Sequence, residues 1–121
     1  MAQIMAKKTM AHEGLSQTAS KELKLLGEYI KIARKRRNLS LRAFAERMMV
    51  SPPTVIALEK GRPSVSIGIF MQALTALSMD EHFSDFLAPE NDKVGLGQEI
   101  RRIKAAGSRE HKKITELNLD F

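Results

Sequence analysis

The stretch LSLRAFAERMMVSPPTVIALEKG, residues 39–61, decides the fold. It reads as two short helices joined by a tight turn, the second of them presented outward. Ser40 can cap the first, because its hydroxyl accepts a backbone N–H that the opening turn leaves free. Phe44, Ala45 and Met48 then share one side and Arg42, Glu46 and Arg47 the other. A helix of about two and a half turns is unstable alone, so packing must hold it. Ser51 precedes a proline, which favours the extended backbone of an N-cap. A proline in a first helical turn removes only N–H groups that lack a partner there anyway. Pro52-Pro53 therefore marks a helix start, with one residue of slip because Pro53 also restricts Pro52. From Thr54 to Lys60 this helix turns Val55 and Leu58 inward and stops at Gly61. Pro52, Pro53, Ile56 and Ala57 are left facing out, an apolar surface that asks for a partner. Thymine methyl groups in a DNA major groove fit it, and so does a protein surface.

Upstream, Leu23, Leu26, Ile30 and Ala33 line one face at helical spacing and predict a helix over 21–38. Its last turn, Arg34-Lys35-Arg36-Arg37, sets cations at the negative end of the helix dipole. Four in a row exceed what the dipole needs. Residues 1–20 are polar and aperiodic and read as a disordered tail. Downstream, Ser64 or Ser66 caps a fourth helix whose apolar face is Ile67, Phe70, Leu74 and Leu77. Asp80 caps a short fifth helix, DEHFSDFLA, with Phe83, Phe86 and Leu87 in a stripe; that stripe is either core or the seam of a dimer. Pro89 closes the domain, Asn91 to Gly97 reads as a joint, and Gln98 to Lys113 as a basic helix interrupted at Gly107.

The chain of 121 residues is one domain's worth, with a net charge of +6. Lys21 to Arg62 holds eleven Lys/Arg against four Asp/Glu, Asp80 to Asp92 five acids and no Lys/Arg, and Gln98 to Lys113 six basic residues against two acidic. That distribution suggests a polyanion on one face and a different partner on another. Few aromatics and no Trp favour small helices over a sheet sandwich. No cysteine means no disulfide framework and no thiolate metal site. No apolar run suits a bilayer span or a secretory signal, so the expected location is the cytoplasm.

His12, His82 and His111 lie in three segments without metal-ligand spacing, so no metal is expected. Gly95-Leu96-Gly97 lacks a third glycine and a preceding strand, so it is not a dinucleotide loop, and no cofactor is expected. Glu28, Glu46 and Glu59 fall on different helices with no cleft for paired acid–base work. No enzyme is expected.

Residues 23 to 78 resemble the helix-turn-helix domain of Cro/cI-type repressors, the Xre family. The likeness lies in ARKRRNLSLRAFAERMMVSPPTVIALEKG, with its S-L-x-x-x-A-E-R, V-S-x-x-T-V and L-E-K-G segments. It implies an all-α, λ-repressor-like domain of five helices over 21–89, with flexible tails at 1–20 and 90–121. It further implies that Pro52 to Lys60 lies in the major groove, with Leu41 to Met48 across the backbone. Ser51 and Arg62 would contact phosphate, supported by Lys60, the Ser64–Ser66 loop and Arg42. Pro52, Pro53 and Ala57 would face base edges, and Arg34 and Glu59 would form an ion pair. Base-facing positions without hydrogen-bonding groups leave methyl contacts from residues such as Ile56, Thr54, and DNA shape as the sources of specificity. Leu41 stands where the family usually has Gln, and Met49 where it usually has the turn Gly.

The phrase EKGRPSVSIGIFMQALTAL, the acidic Phe/Leu segment and the basic tail are similar to HipB-type antitoxins, the partners of HipA-like Ser/Thr kinase toxins. That resemblance implies a homodimer that represses its own operator and holds the kinase inactive. The alternative is a protein-interaction adaptor, or a stand-alone regulator, that kept the fold without a kinase partner.

Overall fold

The computed structural model describes residues 14–118. Among them are five α-helices and no strand: α1 (Gln17–Arg36), α2 (Leu41–Met48), α3 (Pro52–Glu59), α4 (Ile67–Ala76) and α5 (Lys93–Asn118). Two short 3₁₀ helices, Phe83–Leu87 and Pro89–Asn91, lie between α4 and α5. The chain divides into two compact units, one ending at Glu81 and the other beginning at His82.

Three serines start helices in the first unit by the same device. The Ser16 hydroxyl accepts from the Ala19 N–H, Ser40 from Ala43 and Ser66 from Ile69, at 3.0, 3.0 and 3.1 Å. The Ser16 cap starts α1 four residues before Lys21, so residues 17–20 are helical. Residues 1–13 of the expected N-terminal tail lie outside the described residues. Ser66 caps α4, and Ser64 does not.

The core of this unit is Ile30, Ala33, Phe44, Ala45, Met48, Val55, Leu58, Ala73 and Leu77, with Ile69 and Phe70 packed against it. Two expected inward positions sit elsewhere. Leu26 is 37% exposed and Ile67 76% exposed. On α1 the buried face rotates to Gly27, Ile30, Ala33 and Arg34. The cause is a close approach of backbones: a Cβ on Gly27 would stand 2.5 Å from the Glu59 carbonyl oxygen and 2.7 Å from that of Leu58. Gly61, at φ 68°, closes the end of α3 against the Leu23 carbonyl, where a Cβ would collide.

The cation run at the end of α1 splits by direction. Arg34 is buried, 6% exposed, and the charged side chain it meets, that of Glu59, is buried to the same degree. Arg37 reaches back to the Ala33 carbonyl at 2.8 Å and across to the Leu77 carbonyl at 2.9 Å, so it ties together the last turns of α1 and α4. Lys35 and Arg36 face solvent.

In the second unit the expected fifth α-helix is the 3₁₀ turn Phe83–Leu87, entered through His82 at φ 63°. Asp80 does not cap it: the residue at the cap position is His82, and the Asp80 carboxylate accepts from the Thr75 hydroxyl. A core role for the whole Phe stripe is not what forms: Phe86 is 64% and Leu87 73% exposed, while Phe83 is half-buried with its ring edge-on to Phe86 at 5.6 Å. The expected joint at 91–97 and break at Gly107 are also absent. Asp92 accepts from the Gly95 N–H at 2.9 Å, and α5 then runs through Gly97 and Gly107 for 26 residues. A capped start and long apolar spacing outweigh about 1 kcal/mol lost per glycine.

Candidate nucleic-acid interface

Everything at this site follows from how α3 is held. Its start is set by Pro52 and Pro53 behind Ser51, whose backbone is extended at φ −77°, ψ 153°. The Ser51 hydroxyl makes no backbone cap; it shares a hydrogen bond of 3.0 Å with the Thr54 hydroxyl. Both hydroxyls are thereby held at the leading edge of the helix. Val55 and Leu58 are buried beneath, which fixes the rotation of α3 about its axis. The opposite side carries Pro52, Pro53, Ile56 and Lys60 into solvent, with Ala57 and Thr54 half-buried.

The C-terminal end of α3 is fixed by an ion pair. Arg34 donates from Nε to Glu59 Oε2 at 2.7 Å and from Nη2 to Oε1 at 3.0 Å, a two-pronged contact. Its remaining Nη1 donates to the Leu39 carbonyl at 2.9 Å, where α1 gives way to α2. One guanidinium thus holds α1, the start of α2 and the end of α3 in register. No buried side-chain polar atom among the described residues lacks a partner, so the pair is fully satisfied.

The connection between α2 and α3 turns at Met49, at φ 58° and ψ 40°. Its N–H and that of Val50 return to the Glu46 and Ala45 carbonyls at 3.1 and 3.0 Å, closing α2 through a left-handed residue. The Met49 side chain is 89% exposed, so it contributes no packing in return for the strained backbone.

Arg42, Ser51, Lys60, Arg62 and Ser64 are all exposed, on α2, around α3 and on the loop that follows it. Beside them lies a groove of about 410 Å³ between α1 and α3. Lys24, Lys31 and Lys60 line its walls, Leu41 and Ile56 give it apolar surface, and the Arg34–Glu59 pair lies within it. Lys24 and Lys31 are residues that the sequence reading passed over. The signal was available: they precede Arg34 at the ten- and three-residue spacings that share a helix face, and Arg34 points at α3. With Glu59 neutralised by Arg34, three lysines face one remaining carboxylate, Glu28, and the groove is net cationic.

No helix among the described residues is long and apolar enough to cross a membrane. Residues 30–81 match the family model described as Helix-turn-helix, a little under half of the chain, and the match ends where the first unit ends. Neither the curated proteins nor the solved structures return a match. The match supports a DNA-binding transcription regulator, and the α2–turn–α3 geometry is that of a λ-repressor-like, all-α helix-turn-helix fold.

Proposed function

We propose that this chain is a dimeric, sequence-specific repressor, the antitoxin of a HipA-like kinase operon, which binds its own promoter and holds the kinase inactive in the cytoplasm. The observation that carries the DNA-binding part is the exposed face of α3, locked from behind by Arg34–Glu59 and rimmed by exposed cations. In this reading α3 enters the major groove. Pro52, Pro53, Ile56 and Ala57 meet thymine methyl groups, and Thr54 supplies the one hydroxyl near base edges. Ser51, Lys60, Arg62, Ser64 and Arg42 hold phosphates, and Lys24 and Lys31 extend that footprint along α1. Phe83, Phe86 and Leu87 remain candidates for the dimer contact, two of them exposed. The kinase partner rests on the resemblance of residues 59–77 and of the acidic and basic segments after them. The test is fluorescence anisotropy with duplex DNA from upstream of the chain's own gene, across a salt series. A tight site inside a weak, salt-sensitive background supports the reading; equal affinity for all DNA, or none, defeats it.

A second reading, a protein-interaction adaptor, draws on the same face. Ile56 is 39% exposed and no amide or guanidinium reaches out from the middle of α3. Purification from the native host separates the two. Recovery of a kinase with promoter DNA supports the repressor, and recovery of protein partners without DNA supports the adaptor.

A further inference from the structure

Along α5, Leu96, Ile100 and Ile103 are 45%, 42% and 62% exposed. Their spacing is four residues and then three, so the side chains fall on one stripe as the d, a and d positions of a heptad. The 3₁₀ turn Pro89–Asn91 leads directly into α5 and leaves this stripe in solvent. A helix of 26 residues draws most of its stability from packing an apolar face, so the stripe calls for cover.

The charges beside the stripe say what covers it. With Ile100 at position a, Glu99 occupies g and Lys104 occupies e, and both are exposed. In a parallel pair of helices, g of one strand faces the e position five residues further along the other. Glu99 then meets Lys104 of a second copy, and the twofold axis repeats the contact. An antiparallel pair sets g positions beside g and e beside e, which puts Glu99 and Lys104 on opposite sides of the seam and forfeits their attraction. The register therefore selects a parallel arrangement of two identical helices. Gly107 takes the next a position, where nothing stands within 4 Å of a Cβ. Glu110 takes the following d position, where two carboxylates would oppose each other, so the seam ends before it.

We propose that Leu96 to Gly107 of α5 forms a short parallel coiled coil with a second copy of this chain, with Glu99 and Lys104 choosing the partner and its direction. This deepens the dimer named in the proposed function and rests on that part of it. In a parallel seam both copies of α5 begin at the same end.

The experiment is sedimentation equilibrium of the full chain without DNA, over micromolar concentrations. The wild type is expected to interconvert between monomer and dimer, and Ile100→Asp to remain monomeric. Glu99→Lys and Lys104→Glu, both surface changes that leave the fold intact, each weaken the dimer roughly tenfold, because two attractions become two repulsions. The double variant recovers wild-type association, and an equimolar mixture of the two single variants pairs with itself in preference to either homodimer. A monomeric wild type, an Ile100→Asp chain that still dimerises, or single charge variants indistinguishable from wild type would each overturn the seam. DNA binding is read separately, so a chain that dimerises but ignores its promoter sinks the repressor and leaves the seam standing.

Discussion

Arg34 grips Glu59 with two parallel hydrogen bonds, 2.7 and 3.0 Å, across a gap that neither side chain shares with water to more than 7% of its surface. The two residues belong to α1 and α3, and the third arm of the guanidinium holds the Leu39 carbonyl. Removing either partner strands a charge that burial has already stripped of solvent. Glu59→Leu and Arg34→Met are each expected to cost about 3–5 kcal/mol of folding stability. The joint replacement Arg34→Met with Glu59→Leu should cost much less than the two single losses combined, because no charge is left unpaired. Urea unfolding of the four proteins measures the coupling; additive losses would mean the pair contributes nothing as a pair.

Gly27 offers a check on how closely α1 and α3 approach. Its missing Cβ is what lets the Leu58 and Glu59 carbonyls come near. Gly27→Ala must push the two helices apart and is expected to cost about 1–3 kcal/mol despite alanine's better helix propensity. Gly97, also helical, meets nothing within 4 Å, so Gly97→Ala should add helicity and about 0.5–1 kcal/mol to its own unit. Circular dichroism through a denaturant series distinguishes opposite signs for the same chemical change.

Much of the first unit could be read in advance from residues 39–61, because the cues there are local. Ser40 needs only its own next turn, and Pro52-Pro53 fixes a helix start through the chain's own sterics. The rotation of α1 could not be read that way. Leu26 has the right spacing for the core and Gly27 does not look like a buried residue, yet the approach of α3 buries Gly27 and leaves Leu26 partly out. Lys24 and Lys31 were missed for the same reason, since a groove between two helices exists only once the helices are packed. The 3₁₀ turn at Phe83–Leu87 starts behind His82 and not behind Asp80, whose carboxylate bonds back to Thr75. Spacing alone cannot rank two such starting positions.

Arg37 separates the structural cations of α1 from the free ones. Its bonds to the Ala33 and Leu77 carbonyls join two helix ends, so Arg37→Ala is expected to cost about 1–3 kcal/mol. Lys35→Ala and Arg36→Ala, both exposed, should stay within about 0.5 kcal/mol of wild type. Thermal melts of the three variants give the ordering; three equal losses would mean the run acts only through the helix dipole.

Met49 holds a left-handed backbone that costs an ordinary residue about 1–2 kcal/mol, and its exposed side chain packs on nothing in compensation. Glycine at the same place removes that strain but frees the unfolded chain by about 0.5–1 kcal/mol. The strain is the larger quantity, so Met49→Gly is expected to raise stability by up to about 1 kcal/mol. A fall in the urea midpoint would show that Met49 contributes a contact of its own.

Arg62 and Thr54 divide phosphate holding from base reading if α3 enters the major groove. Arg62 is exposed on the loop after α3; its backbone bonds to Ala57 and Val65, but its guanidinium makes no hydrogen bond among the described residues, so loss of the side chain should weaken all DNA alike. Arg62→Ala is expected to lower the slope of log affinity against log salt by about one. Lys24→Ala and Lys31→Ala should act in the same manner if the groove beside α3 carries a phosphate. Thr54 stands at the leading edge of the helix with its hydroxyl held by Ser51. Thr54→Ala should spare non-specific binding and reduce discrimination at one base pair by about 1–3 kcal/mol. Anisotropy titrations with the promoter site and a scrambled duplex read both effects. If Arg62→Ala changes only the preferred site, or Thr54→Ala weakens both duplexes equally, α3 is not oriented on DNA in this way.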